Sequence, residues 1–172
     1  EGLAIQKGHQ RALQNKTSLG DVLELVKEYR KTNNSTPIIL MGYLNPFLAV
    51  GSKEFVKKAS ISGIDGILFV DMPPEESNKF TMETNKADID IIRLISPTTS
   101  KSRAIKIVEQ ASGFVYYISL KGVTGADSMD TKDVENRIND LRQLTDLPVV
   151  IGFGIKDGKT VTLLNIATYK LL

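Results

Sequence analysis

Two hydrophobic periods take turns along the chain. Short continuous apolar runs mark strands buried on both faces. They alternate with stretches whose apolar residues recur every three or four positions, the mark of helices with one buried stripe. Over residues 1–17, Ile5, His9, Ala12 and Leu13 fall near helical spacing and predict a short helix. Ser18 caps a longer one, with Asp21 three residues on, where its carboxylate can return the hydrogen bond. Leu19, Val22, Val26 and Tyr29 form its stripe, and the polar run from Asn33 to Thr36 stops it. Pro37 opens a strand over Ile38–Met41, broken by Gly42, Asn45 and Pro46. A helix capped by Ser52 runs to about Ser62, with Phe55, Val56 and Ala59 inward and Gly63 as its stop.

The same unit then repeats. Ile64–Val70 reads as a strand closed by Asp71-Met72-Pro73-Pro74. Pro74 suits a first helical turn, Glu75 and Glu76 favour its positive end, and the helix is expected to reach Lys86. Ile89–Ile95 is the next strand, followed by Ser96-Pro97-Thr98-Thr99. Ser100 caps a helix with Ala104, Ile107, Val108 and Ala111 on one face, and Gly113 stops it. A strand over Phe114–Ile118, a helix from Asp130 or Thr131 with Val134, Ile138 and Leu141 inward, and a strand opened by Pro148 complete the readable pattern. Val161, Leu164 and Ala167 could line one more helix, without a strand before it.

Strands alternating with amphipathic helices imply a parallel sheet with helices outside. The candidates are a (β/α)8 TIM barrel and a doubly wound open sheet. No GxGxxG follows a strand and no GxxxxGK[ST] occurs, which tilts against the nucleotide-binding folds. Glycine-rich turns fall late in the chain, where a barrel keeps its phosphate loops. A closed barrel of roughly 250 residues needs about three more strand–helix steps than are legible here. The expectation is therefore a single barrel domain over residues 1–172, incomplete at its N-terminal strands and its last strand.

Composition narrows the chemistry. Lys plus Arg is 22 and Asp plus Glu is 20, a net charge of +2 with the signs interspersed, so nucleic acid is not implied. No apolar run is long enough to span a bilayer. The absence of cysteine excludes disulfide and thiolate chemistry, and a single histidine, His9, argues against a histidine-based metal site.

The densest signal is Gly113 to Gly125, GFVYYISLKGVTG, in which an aromatic strand ends at Ser119 and two glycines frame Val123 and Thr124. Leu147 to Gly154, LPVVIGFG, repeats the arrangement. Thr124 and Gly125 could offer a hydroxyl and an N–H to a phosphate, and Gly154 another N–H; the alternative is two ordinary strand-end turns. Tyr116 and Tyr117 are adjacent, so one must face the helices and the other the opposite side. Tyr43 ends an earlier strand, and Asp71 is either an acid–base group or a loop-capping carboxylate. Arg93 interrupts an apolar strand and pairs or sits at an end.

Taken in order, Gly2-Leu3-Ala4-Ile5-Gln6, Arg11-Ala12-Leu13, PIILMGYLNP from Pro37, GILFVDMPPEE from Gly66, SPTT from Ser96, GFVYYISLKGVTG from Gly113 and PVVIGFGI from Pro148 resemble the tryptophan synthase alpha subunit family. The resemblance implies a (β/α)8 barrel in the cytoplasm that cleaves indole-3-glycerol phosphate to indole and glyceraldehyde 3-phosphate by a retro-aldol step. It implies no cofactor in this subunit and a pyridoxal-phosphate-dependent beta subunit as partner in an α2β2 heterotetramer, with Asp71–Glu76 and Tyr43–Phe47 as part of the docking surface. The family's acid–base glutamate is expected upstream of the sequence. Glu1 stands where the family has an aspartate that contacts the indole nitrogen. Tyr116 matches the tyrosine that orients the glutamate. Met41, Tyr43, Leu68, Val70 and Ile95 match the indole pocket, and Thr124, Gly125, Phe153 and Gly154 the phosphate side. Two other readings stay open: another phosphosugar isomerase or aldolase barrel, for which Lys121 is poorly placed as a Schiff-base lysine, and a catalytically silent barrel kept as a structural partner.

Overall fold

The computed structural model describes residues 3–119 and 131–152. In chain order these form α1 (Leu3–Gln14), α2 (Leu19–Arg30), β1 (Ile39–Gly42), α3 (Leu44–Val50), α4 (Ser52–Ser62), β2 (Gly66–Phe69), a 3-10 turn (Pro74–Glu76), α5 (Asn78–Lys86), β3 (Asp90–Ile95), α6 (Lys101–Val108), β4 (Val115–Ile118), α7 (Thr131–Arg142) and β5 (Val149–Gly152). Strands pair in sequence order, and every pairing is parallel. Contacts divide the chain into two compact units, Lys7–Ile92 and Arg93–Leu172 with Glu1–Gln6.

In the unit Lys7–Ile92, alternation along the strands separates two faces. Leu40, Ile67, Phe69 and Ile91 join Leu23, Val26, Phe55, Val56 and Phe80 in one buried cluster under the helices. Four phenylalanines bind it together edge to face: Phe47 meets Phe55 at 4.6 Å and Phe69 at 5.1 Å, and Phe69 meets Phe80 at 4.9 Å. On the other face, Met41 pairs with Leu68 and Leu68 with Ile92. Gly66 opens this face, and a Cβ there would lie 2.7 Å from both Ile39 Cδ1 and Ile92 Cδ1.

Arg30 clamps the N-terminal ends of β1 and β2. Its guanidinium donates to Gly63 O at 2.9 Å, Asn33 O at 3.2 Å, Thr36 O at 2.8 Å and Asp65 Oδ2 at 2.5 Å. The same Asp65 oxygen accepts from Ile38 N at 2.6 Å. Gly63 ends α4 in the left-handed region, φ 85°, as its place in the sequence predicts.

Three helical expectations change. Ser52 does not cap α4 but is its first residue; the N-cap is Gly51, and no side chain makes a capping hydrogen bond there. Asn45 and Pro46 do not break the chain but lie in the first turn of α3, where backbone N–H groups have no intrahelical acceptor and proline loses nothing. The single helix expected from Pro74 to Lys86 is instead the 3-10 turn followed by α5; the buried hydroxyls of Ser77, between the two, and of Thr84 in α5 donate to the carbonyls of Pro74 and Phe80.

In the unit that begins at Arg93, Ile95, Val115, Tyr117 and Val149 pack with Ala104, Ile107 and Val108 of α6 and Val134, Ile138 and Leu141 of α7. Arg93 also faces this side. It is 4% exposed and donates from Nε to Gln110 O at 3.3 Å, just past the C-terminal end of α6, where a cation is favoured. Burial lowers its pKa from the ordinary arginine value. The stretch 161–172 lies outside the described residues.

Candidate active site

The register of β3, β4 and β5 decides which tyrosine faces which way. Tyr117 pairs with Ile95 and Ile151 and is buried among α6 and α7. Tyr116 pairs with Leu94 and Val150 and therefore projects from the opposite face. Its ring leans along the strand direction onto Gly152, where an added Cβ would overlap the hydroxyl and the ring edge. Only glycine at position 152 leaves room for this pose. The Tyr116 hydroxyl thus lies at the C-terminal ends of β4 and β5, the end at which barrels carry their chemistry. Partial burial raises its pKa above the ordinary 10.0 and keeps it protonated.

Ser119 locks the same two strand ends. Its N–H and its hydroxyl both donate to Gly152 O, at 3.1 and 3.0 Å. The glycine-rich stretches continue directly from these two residues. Thr124, Gly125, Phe153 and Gly154, named from sequence for the phosphate, lie outside the described residues, as does Glu1.

Ile95, expected in the indole pocket, does not share the Tyr116 face. It pairs with Tyr117 and belongs to the helix-side cluster. The β3 residue beside Tyr116 is Leu94, which sequence reasoning missed; counting two-residue alternation back from Tyr116 through a parallel register would have found it.

In the unit Lys7–Ile92 the remaining pocket residues share one strand face. Met41 and Leu68 are paired, with Leu68 buried and Met41 exposed, and Tyr43 and Val70 each follow two residues on. The strand ends are held by Val70 N donating to Gly42 O at 3.0 Å. Asp71 is a capping carboxylate: its Oδ1 accepts from Leu44 N, the first residue of α3, at 2.7 Å. Tyr43 immediately precedes that helix and is half exposed.

Among the described residues, no group of three or more His, Asp or Glu is placed to hold a metal ion, and no helix is long and apolar enough to cross a membrane.

Parallel strands in sequence order alternating with helices, and a tyrosine presented at the strand C-terminal ends, define a (β/α)8-barrel protein of which the described residues supply five strands. The family model for the tryptophan synthase alpha chain matches residues 1–169, and the chain belongs to that family. The tryptophan synthase alpha chain of Hydrogenovibrio crunogenus is 50% identical over 160 residues, 93% of this chain and 59% of its own. Among solved structures, tryptophan synthase subunit alpha from Legionella pneumophila superposes with a TM-score of 0.85 at 35% identity, covering 98% of this chain and 61% of that one. A chain from the tryptophan synthase α2β2 complex of Pyrococcus furiosus gives 0.86 at 35% identity, covering 96% and 66%. The sequence thus spans 59% of the curated Hydrogenovibrio relative.

Proposed function

We propose that the whole protein cleaves indole-3-glycerol phosphate to indole and glyceraldehyde 3-phosphate. The observation that carries this reading is the Tyr116 pose: its hydroxyl held over Gly152 at the strand ends from which both glycine-rich stretches depart. In the retro-aldol step, the bond between indole C3 and the glycerol carbon breaks. Its electron pair returns to the indole, C3 takes a proton, and the adjoining hydroxyl loses its proton as it becomes the aldehyde. A carboxyl group can serve both transfers when apolar surroundings raise its pKa. In the family that carboxyl group is a glutamate, and Tyr116 is its orienting partner.

Met41, Tyr43, Leu68 and Val70 form an apolar wall for the indole ring. Glu1 contacts the indole nitrogen. Thr124, Gly125, Phe153 and Gly154 hold the phosphate and thereby align the scissile bond. The reaction draws on no cofactor in this subunit. Residues 1–172 belong to one barrel domain, the protein works in the cytoplasm, and its partner is a pyridoxal-phosphate-dependent beta subunit in an α2β2 assembly, with Tyr43–Phe47 and Asp71–Glu76 in the contact. Co-purification with the matching beta subunit tests the assembly; two species that elute separately would contradict it. For the reaction itself, purified whole protein incubated with indole-3-glycerol phosphate alone should release indole and glyceraldehyde 3-phosphate in equal amounts. Unchanged substrate at high enzyme concentration would exclude the lyase assignment.

A further inference from the structure

The face of β3 and β4 opposite Tyr116 borders a cavity of about 120 Å³ that the lyase reading does not use. Its walls are apolar where Ile95, Ala104, Leu141 and Leu144 meet. One polar group among them is out of place in such a wall. Tyr117 lines the cavity, is 1% exposed, and its hydroxyl has no hydrogen-bond partner among the described residues. A buried hydroxyl without a partner is a net loss to the fold, and phenylalanine would fill the same space without it. Burial, with the Asp133 carboxylate nearby on α7, raises the pKa of this phenol above 10.0, so the group offers a proton to an acceptor.

The charges around the cavity favour an anion. Lys101 and Arg137 stand in its wall against one carboxylate, Asp140. Arg137 is already engaged, donating from Nη2 to Pro97 O and Thr99 O at 3.0 Å each, with Nη1 4.0 Å from Asp140. Lys101, exposed at the first position of α6, is left to meet a ligand's charge. The volume is close to that of cavities of about 150 Å³ that take up benzene. It suits one six-membered ring and is too small for a sugar phosphate joined to an indole.

We propose that this cavity binds a small aromatic carboxylate, its ring against Ile95, Ala104, Leu141 and Leu144 and its carboxylate accepting from the Tyr117 hydroxyl on the side of Lys101. The test is a titration of the whole protein with benzoate, followed by calorimetry and by the methyl resonances of Ala104 and Leu141. Saturable binding that moves those methyls is expected. Tyr117→Phe should weaken binding about fivefold or more, the loss of one hydrogen bond to a charged acceptor, and should raise the Tm of the ligand-free protein. Ala104→Leu should fill the cavity and abolish binding; it carries the test alone if Tyr117→Phe does not fold. Benzyl alcohol, of similar size without the charge, should bind more weakly than benzoate. No saturable binding, methyl shifts confined to other residues, equal affinity in both variants and wild type, or benzyl alcohol binding as tightly as benzoate would each overturn the proposal.

Discussion

The absent side chain at position 152 decides where Tyr116 can lie. The ring rests on Gly152, and any Cβ there would occupy the space of the hydroxyl. Gly152→Ala should therefore push the tyrosine aside while leaving the strand intact. Because a misplacement of about 1 Å can cost on the order of 100-fold, indole release should fall at least about tenfold with little change in Tm. Wild-type turnover in that variant would show that the tyrosine pose does not matter. The two tyrosines also set an alkaline limit. Both phenols have pKa values raised above 10.0, chiefly by burial. The folded chain holds their protons more tightly than the unfolded chain does. Their contribution to stability is complete below pH 10.0 and is lost as pH rises through the folded-state values. In a series of melts above that pH, Tyr117→Phe should lose Tm less steeply than wild type; superimposable curves would contradict the shift. None of this is legible from adjacent tyrosines in a sequence, which say that one faces each way but not which. Only the pairing of Tyr116 with Val150 and Tyr117 with Ile151 settles it, and the same parity puts Leu94 on the Tyr116 face and Ile95 on the Tyr117 face.

At the scale of elements, signals carried by local chemistry were readable. Ser18 and Asp21 form the reciprocal capping box, Ser100 accepts from Arg103 N, and Gly63 ends α4 with positive φ. Each depends on residues within one turn, so the sequence contains the whole interaction. Helix α3 is hidden in the sequence because proline and asparagine ordinarily break helices, and because its start is capped from Asp71, 27 residues away. What makes α3 necessary is Phe47, 5% exposed and stacked edge-on against Phe55 and Phe69. Phe47→Ala should cost about 3–5 kcal/mol in urea unfolding with an unchanged m-value. A loss below about 1 kcal/mol would mean that α3 packs on the strands without bearing on the core.

For the whole molecule, alternation of apolar runs and amphipathic stretches sufficed to give parallel strands in sequence order, because short right-handed βα connections leave few other topologies. The Arg30 clamp was not legible: it joins α2 to the ends of two strands through three carbonyls and one carboxylate, and no residue spacing encodes such a set. The phosphate and glutamate assignments rest on motif and family, while the tyrosine assignment rests also on register, so the tyrosines give the sharpest test. The measurement is kcat for indole release from indole-3-glycerol phosphate by the whole protein, compared among wild type, Tyr116→Phe and Tyr117→Phe. On the proposed role of Tyr116, removing its hydroxyl should lower kcat about tenfold or more in Tyr116→Phe, with KM little changed. Tyr117→Phe, altered on the opposite strand face, should turn over like wild type. Equal rates in wild type and Tyr116→Phe, or a loss confined to Tyr117→Phe, would contradict the account.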